Sequence, residues 1–85
     1  RVTFKYDNAE QAGSAVLAGE FNGWSLADTP MKKLKDGSFS ATLSLPAGQS
    51  YRFRYVLDGN VWVNDPAADS YAPNEYGEEN SVLNT

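Results

Sequence analysis

Val2, Phe4 and Tyr6 alternate with Thr3 and Lys5, and the same two-residue period returns further on. There Phe39, Ala41, Leu43 and Leu45 alternate with Ser40, Thr42 and Ser44. In a strand, successive side chains point to opposite faces, so both segments read as half-buried strands. Tyr51 to Leu57 is a longer strand, with Tyr51, Phe53, Tyr55 and Leu57 on one face and Arg52, Arg54 and Val56 on the other. Ala15 to Glu20 is a short apolar run, too short for a helix. Leu26 to Leu34 reads as a loop with room for a short strand at Met31 to Leu34, and short strands follow at Val61 to Val63 and Asn80 to Asn84. Asn22-Gly23, Asp36-Gly37 and Pro46-Ala47-Gly48 are turn signals. Asn8 to Ser14 reads as a polar loop, and Asp65 to Gly77, with Pro66 and Pro73, as an acidic one. No segment has the period of an ordinary helix, and none repeats. About seven short strands punctuated by turns predict an all-β sandwich of two antiparallel sheets. Its core is expected to hold Phe4, Phe39, Leu43, Phe53, Tyr55 and Val63.

The hairpin after Leu57 decides where Trp62 points. A two-residue turn at Asp58-Gly59 would set Trp62 opposite Tyr55, in the core, and expose Val61 and Val63. A three-residue loop, Asp58 to Asn60, pairs Leu57 with Val61, Val56 with Trp62 and Tyr55 with Val63. A one-residue slip moves every side chain to the other face. The longer loop buries both valines and sets Trp62 outward beside Arg54, and both arginines on that face must meet water. It needs a left-handed residue at its third position, which Asn60 tolerates. An outward tryptophan is either strained against water or kept for a ligand. A flat, half-apolar face such as a sugar ring suits it.

Composition narrows the chemistry. The chain has 85 residues, which predicts a single domain over 1–85. It has no cysteine and no histidine. That removes disulfides, thiolate metal sites, the usual zinc ligand and the usual general base near neutral pH. The net charge is -4, which argues against nucleic acid and anionic membrane as partners. No apolar run is long enough to span a bilayer. The reading is a cytoplasmic module without cofactors, and the missing initiator methionine suggests a trimmed terminus or an excised domain.

Each candidate has a plainer alternative. Trp62 is a sugar platform or a tryptophan covered by the acidic loop, and its outward register favours the platform. Trp24 reads equally as a loop anchor or a ligand contact. Arg54 offers planar donors to hydroxyl pairs, and beside Trp62 this outweighs a merely solvated strand face. Asn80 fits a sugar hydroxyl or ordinary turn chemistry. Tyr71 and Tyr76 rim a site or pack the acidic loop down. Paired carboxylates hydrolyse glycosides, but here they lie in turns of a small sandwich with little room for a cleft, so no enzyme is expected. Asp65 and Asp69 lack a calcium-loop spacing. Gly19 to Gly23 lacks the Lys-Ser/Thr ending and following helix of a phosphate loop.

Taken together, Val16-Leu17-Ala18-Gly19-Glu20-Phe21-Asn22-Gly23-Trp24, Phe53-Arg54-Tyr55-Val56-Leu57-Asp58-Gly59, Trp62, Asp65-Pro66 and Asn80 resemble the glycogen-binding early-set domain. This is carbohydrate-binding module family forty-eight, the isoamylase N-terminal domain, which includes the glycogen-binding region of the AMP-activated kinase β subunit. Ala68 to Asn74 and Gly77 to Val82 look most like small bacterial proteins made of this domain alone. The resemblance spans about Val2 to Leu83 and implies an immunoglobulin-like early-set sandwich that binds α-1,4-glucan without catalysis. It implies carbohydrate contacts at Trp24, Arg54, Trp62 and Asn80, with a protruding hydrophobic residue at Tyr76. Implied partners are glycogen, starch or maltooligosaccharides, and a catalytic domain or enzyme of glycogen metabolism. Three departures stand out: arginine for lysine at Arg54, one extra residue between Gly59 and Trp62, and Glu78 in place of a small hydroxyl residue. The alternative is an interdomain or protein-interaction module on the same fold without glycan affinity.

Overall fold

Phe4 of one sheet and Phe53 of the other meet edge to face, with ring centroids 5.0 Å apart and planes at 75°. Around that contact a computed structural model of residues 1–85 shows eight strands in two antiparallel sheets. The smaller sheet orders β1 (Val2–Tyr6), β4 (Phe39–Leu43) and β3 (Lys32–Lys33) as β1-β4-β3. The larger is built on β5 (Ser50–Leu57). One edge of β5 pairs with β2 (Ala15–Gly19). Its other edge is shared, by β8 (Glu79–Asn84) along Ser50 to Phe53 and by β6 (Val61–Val63) along Tyr55 to Leu57. A last strand, β7 (Ser70–Pro73), pairs with β8. The fold is the immunoglobulin-like sandwich expected, and no helix in it is long and apolar enough to cross a membrane.

The core follows the alternation. Phe4, Tyr6, Leu17, Phe39, Phe53, Tyr55 and Leu57 are buried between the sheets. Burying each large apolar side chain contributes roughly 1.5–3 kcal/mol. Leu43 and Val63, expected in this core, are half-buried and pack against its margin. The segment before β3 stitches the layers together. Leu17 donates to the Thr29 carbonyl and Met31 to that of Ala15, so Thr29 to Met31 borders the larger sheet. Lys32 and Lys33 then join β4 in the other sheet. Strand β3 is therefore shorter than Met31 to Leu34.

Three other expectations need correction. The acidic loop is not all loop, because Ser70–Pro73 forms β7. Proline is tolerated there because β7 is an edge strand. The buried Asp65 ties the preceding segment down. Its Oδ2 accepts from the Tyr55 hydroxyl at 2.9 Å, its Oδ1 from the Ala67 amide, and its carbonyl from the Tyr71 hydroxyl. Its own amide donates to Ser81 Oγ.

The hairpin has the longer-loop register: Tyr55 opposite Val63, Val56 opposite Trp62 and Leu57 opposite Val61. Its left-handed residues, however, are Asp58 and Gly59, with φ of 50° and 80°, and not Asn60. Asp58-Gly59 keeps the tight turn that its sequence favours, closed by Asn60 donating to the Leu57 carbonyl, and Asn60 is the extra residue. Val61 is not buried. It lies at the hairpin tip on a three-residue strand and stays 49% exposed.

Candidate functional site

The Gly19–Trp24 stretch builds one wall of the site, residue by residue. A Cβ on Gly19 would lie 2.8 Å from the backbone oxygen of Arg52, so only glycine lets β2 close on β5 there. Glu20 to Asn22 then form a single 3₁₀ turn. Glu20 Oε1 accepts the Arg52 amide at 2.7 Å, continuing the ladder where β2 ends. Phe21 drops toward the core, tilted against Phe4 at 5.6 Å and edge-on to Tyr51 at 6.0 Å. Asn22 locks the turn by accepting from the Gly19 amide and donating to the Leu17 carbonyl and Thr29 Oγ1. Gly23 and Trp24 both take left-handed backbone, φ 65° and 60°. For a bulky residue such as Trp24 this is strained, of the kind that clusters at ligand clamps.

That turn carries the Trp24 ring to Trp62. Their centroids lie 6.5 Å apart, with the planes tilted by 41°. Trp62 is 39% exposed on the outer face of the sheet, not covered by the acidic segment. Beside it, Arg54 is less open to water than its strand position suggests, its side chain being 13% exposed. Arg54 Nη1 donates to Glu78 Oε1 at 2.8 Å, and Nη2 to the Trp62 carbonyl at 3.1 Å. Arg54 Nε is buried without a partner.

The β7–β8 turn supplies the opposite wall. Asn74 Oδ1 accepts from the amides of Tyr76 and Glu78, and Asn74 Nδ2 donates to Asn80 Oδ1 at 3.2 Å. This firm turn holds Tyr76 outward, 81% exposed. Asn80 is only 6% exposed and lies at the groove floor.

All five residues singled out in the sequence, Trp24, Arg54, Trp62, Tyr76 and Asn80, line a single groove of about 1090 Å³. Sequence reasoning did not single out Glu20, Arg52, Pro73, Asn74 or Glu75, which also line it. Arg52 was within reach, since it shares the face of Arg54 two positions away. Pro73 and Asn74 were not, because their placement depends on β7. Glu20, Glu75 and Glu78 outnumber Arg52 and Arg54 along the groove, and Arg54 is already paired. The site therefore suits a neutral polyhydroxy ligand better than an anion. Elsewhere, Asp65 and Asp69 spend their carboxylates inside the chain, Asp69 on the Asn84 amide.

The family model of the glycogen recognition site of AMP-activated protein kinase matches residues 1–85. No curated protein matches the sequence.

Proposed function

The chain belongs to the family of the AMP-activated protein kinase glycogen recognition site, and from that premise we propose that it binds α-1,4-linked glucan by ring stacking, without catalysis. The observation that carries this reading is the pair of tryptophan rings, 6.5 Å apart and tilted by 41° at the mouth of one groove. An α-1,4-linked chain coils, so its successive sugar faces turn relative to one another. Two tilted indoles follow that turn, whereas a straight β-1,4-linked chain would lie flat on only one of them. Trp24 and Trp62 are the stacking platforms and Tyr76 the apolar rim. Asn80 and Arg54 set the polar side of the groove.

The groove carboxylates do not favour hydrolysis. Glu78 is committed to Arg54 and Glu20 Oε1 to the Arg52 amide, so both carboxylates serve first to hold the groove walls.

Calorimetric titration with maltoheptaose and, separately, cellohexaose tests the proposal. Saturable heat with the first and none with the second is expected. No response to maltoheptaose would return the chain to the interaction-module reading.

A further inference from the structure

We propose that the groove has a second, polar half beyond the tryptophans, in which Arg52 and Glu20 hold the next stretch of the sugar chain. This rests on the glucan-binding reading. It assigns Arg52 as a second guanidinium, less engaged than Arg54, that meets ligand. Arg54 is partly committed: one N–H of Nη1 goes to Glu78, one of Nη2 to the Trp62 carbonyl, and Nε is covered. Arg52 is exposed and forms no ion pair. Its one polar side-chain contact, Nη1 to the Pro73 carbonyl at 3.5 Å, is at the outer limit of a hydrogen bond.

The position is built, not incidental. On the outer face of β5, Val56 lies opposite Trp62, and Arg54 and Arg52 follow at alternate positions. Two residues of strand advance roughly 7 Å, on the scale of one sugar ring. Both backbone polar groups of Arg52 meet the Gly19–Glu20 segment. Glu20 Oε1 takes its amide at 2.7 Å, and Gly19 packs against its carbonyl. Glu20 Oε2 makes no hydrogen bond within the chain, so an acceptor stands on the same rung as a forked donor. Neighbouring sugar hydroxyls each donate and accept, and such a pair satisfies them. A phosphate or carboxylate would meet Glu20 unfavourably, so this half also takes a neutral chain.

Titration of the full chain with maltotriose and maltoheptaose tests this. The parent should prefer the longer sugar. In Arg52→Ala the ratio of the two affinities should fall about tenfold, the size expected for losing a charge-assisted hydrogen bond. Arg52→Lys, which keeps the charge without the planar fork, should recover part of the ratio. Thermal unfolding at the parent temperature shows that the variant is folded. A folded Arg52→Ala with the parent ratio would overturn the assignment of Arg52 while leaving the tryptophan platform standing. A parent that binds neither sugar would overturn the glucan reading itself.

Discussion

Arg54 and Glu78 meet at 2.8 Å across the groove, yet the two side chains are unequal, 13% and 63% exposed. The arginine packs its stem into the sheet face and also holds the Trp62 carbonyl, whereas the glutamate contributes little beyond the pair. Exposed ion pairs contribute about 0–1 kcal/mol, so Glu78→Gln should change unfolding free energy by less than about 1 kcal/mol. Arg54→Ala removes packing and two charge-assisted bonds, and should destabilise by about 2 kcal/mol. Denaturant unfolding of both variants measures the difference. Equal losses would mean that Arg54 does not brace the hairpin.

Phe53 and Trp62 should separate stability from binding. Phe53 is buried against Phe4 and Tyr55, so Phe53→Ala should destabilise the domain by roughly 3–5 kcal/mol. Trp62→Ala leaves no comparable cavity. It should cost far less stability and weaken glucan binding by on the order of 2 kcal/mol, about thirtyfold in dissociation constant. Unfolding and titration of the two variants read these effects separately. A Trp62→Ala protein as unstable as Phe53→Ala would make Trp62 a core residue.

The sandwich was legible because its core strands alternate cleanly and the aromatic face of β5 admits only one orientation. The outward setting of Trp62 was legible for the same reason, since Val56 and Trp62 are opposed in the three-residue loop register. Strand β7 was hidden because Ser-Tyr-Ala-Pro is short and ends on a proline that only an edge strand accepts. The Arg54–Glu78 pair was hidden with it, because the turn that presents Glu78 to Arg54 is set by β7 pairing with β8. The left-handed backbone of Trp24 carried no sequence signal, since the bulky residue there breaks the usual preference.

Alkaline titration should expose the buried tyrosines. Burial, and then the hydrogen bond to Glu10, pushes Tyr6 up to about 12. Burial, and then the neighbouring Asp65, raises Tyr55 further. Both hydroxyls ionise near 10 in the unfolded chain. Above that pH the unfolded state gives up protons that the folded state retains, so stability falls as pH rises. The tyrosine contribution is complete below about pH 10 and declines from there toward pH 12. Urea midpoints for the parent and Tyr6→Phe at pH 8 and pH 11 test this. The parent should lose more over that interval, and parallel losses would show that Tyr6 is not coupled to folding.

Trp24 offers the sharpest separation of strain from use. Its φ of 60° is one that glycine adopts freely and other residues only at a cost. The preceding Gly23 shares the left-handed conformation, so nothing in the turn lets Trp24 relax without moving its ring from Trp62. Trp24→Ala and Trp24→Gly both remove the ring, but only glycine also removes the backbone strain. Glycine should therefore give a protein more stable than alanine by about 1 kcal/mol, reversing their usual order. Both should bind maltoheptaose at least tenfold more weakly than the parent, the scale of a lost hot-spot aromatic. Thermal unfolding and titration of the pair measure the two effects independently. Alanine as stable as glycine would show the conformation to be unstrained. Parent-like affinity in either variant would leave Trp62 as the only platform.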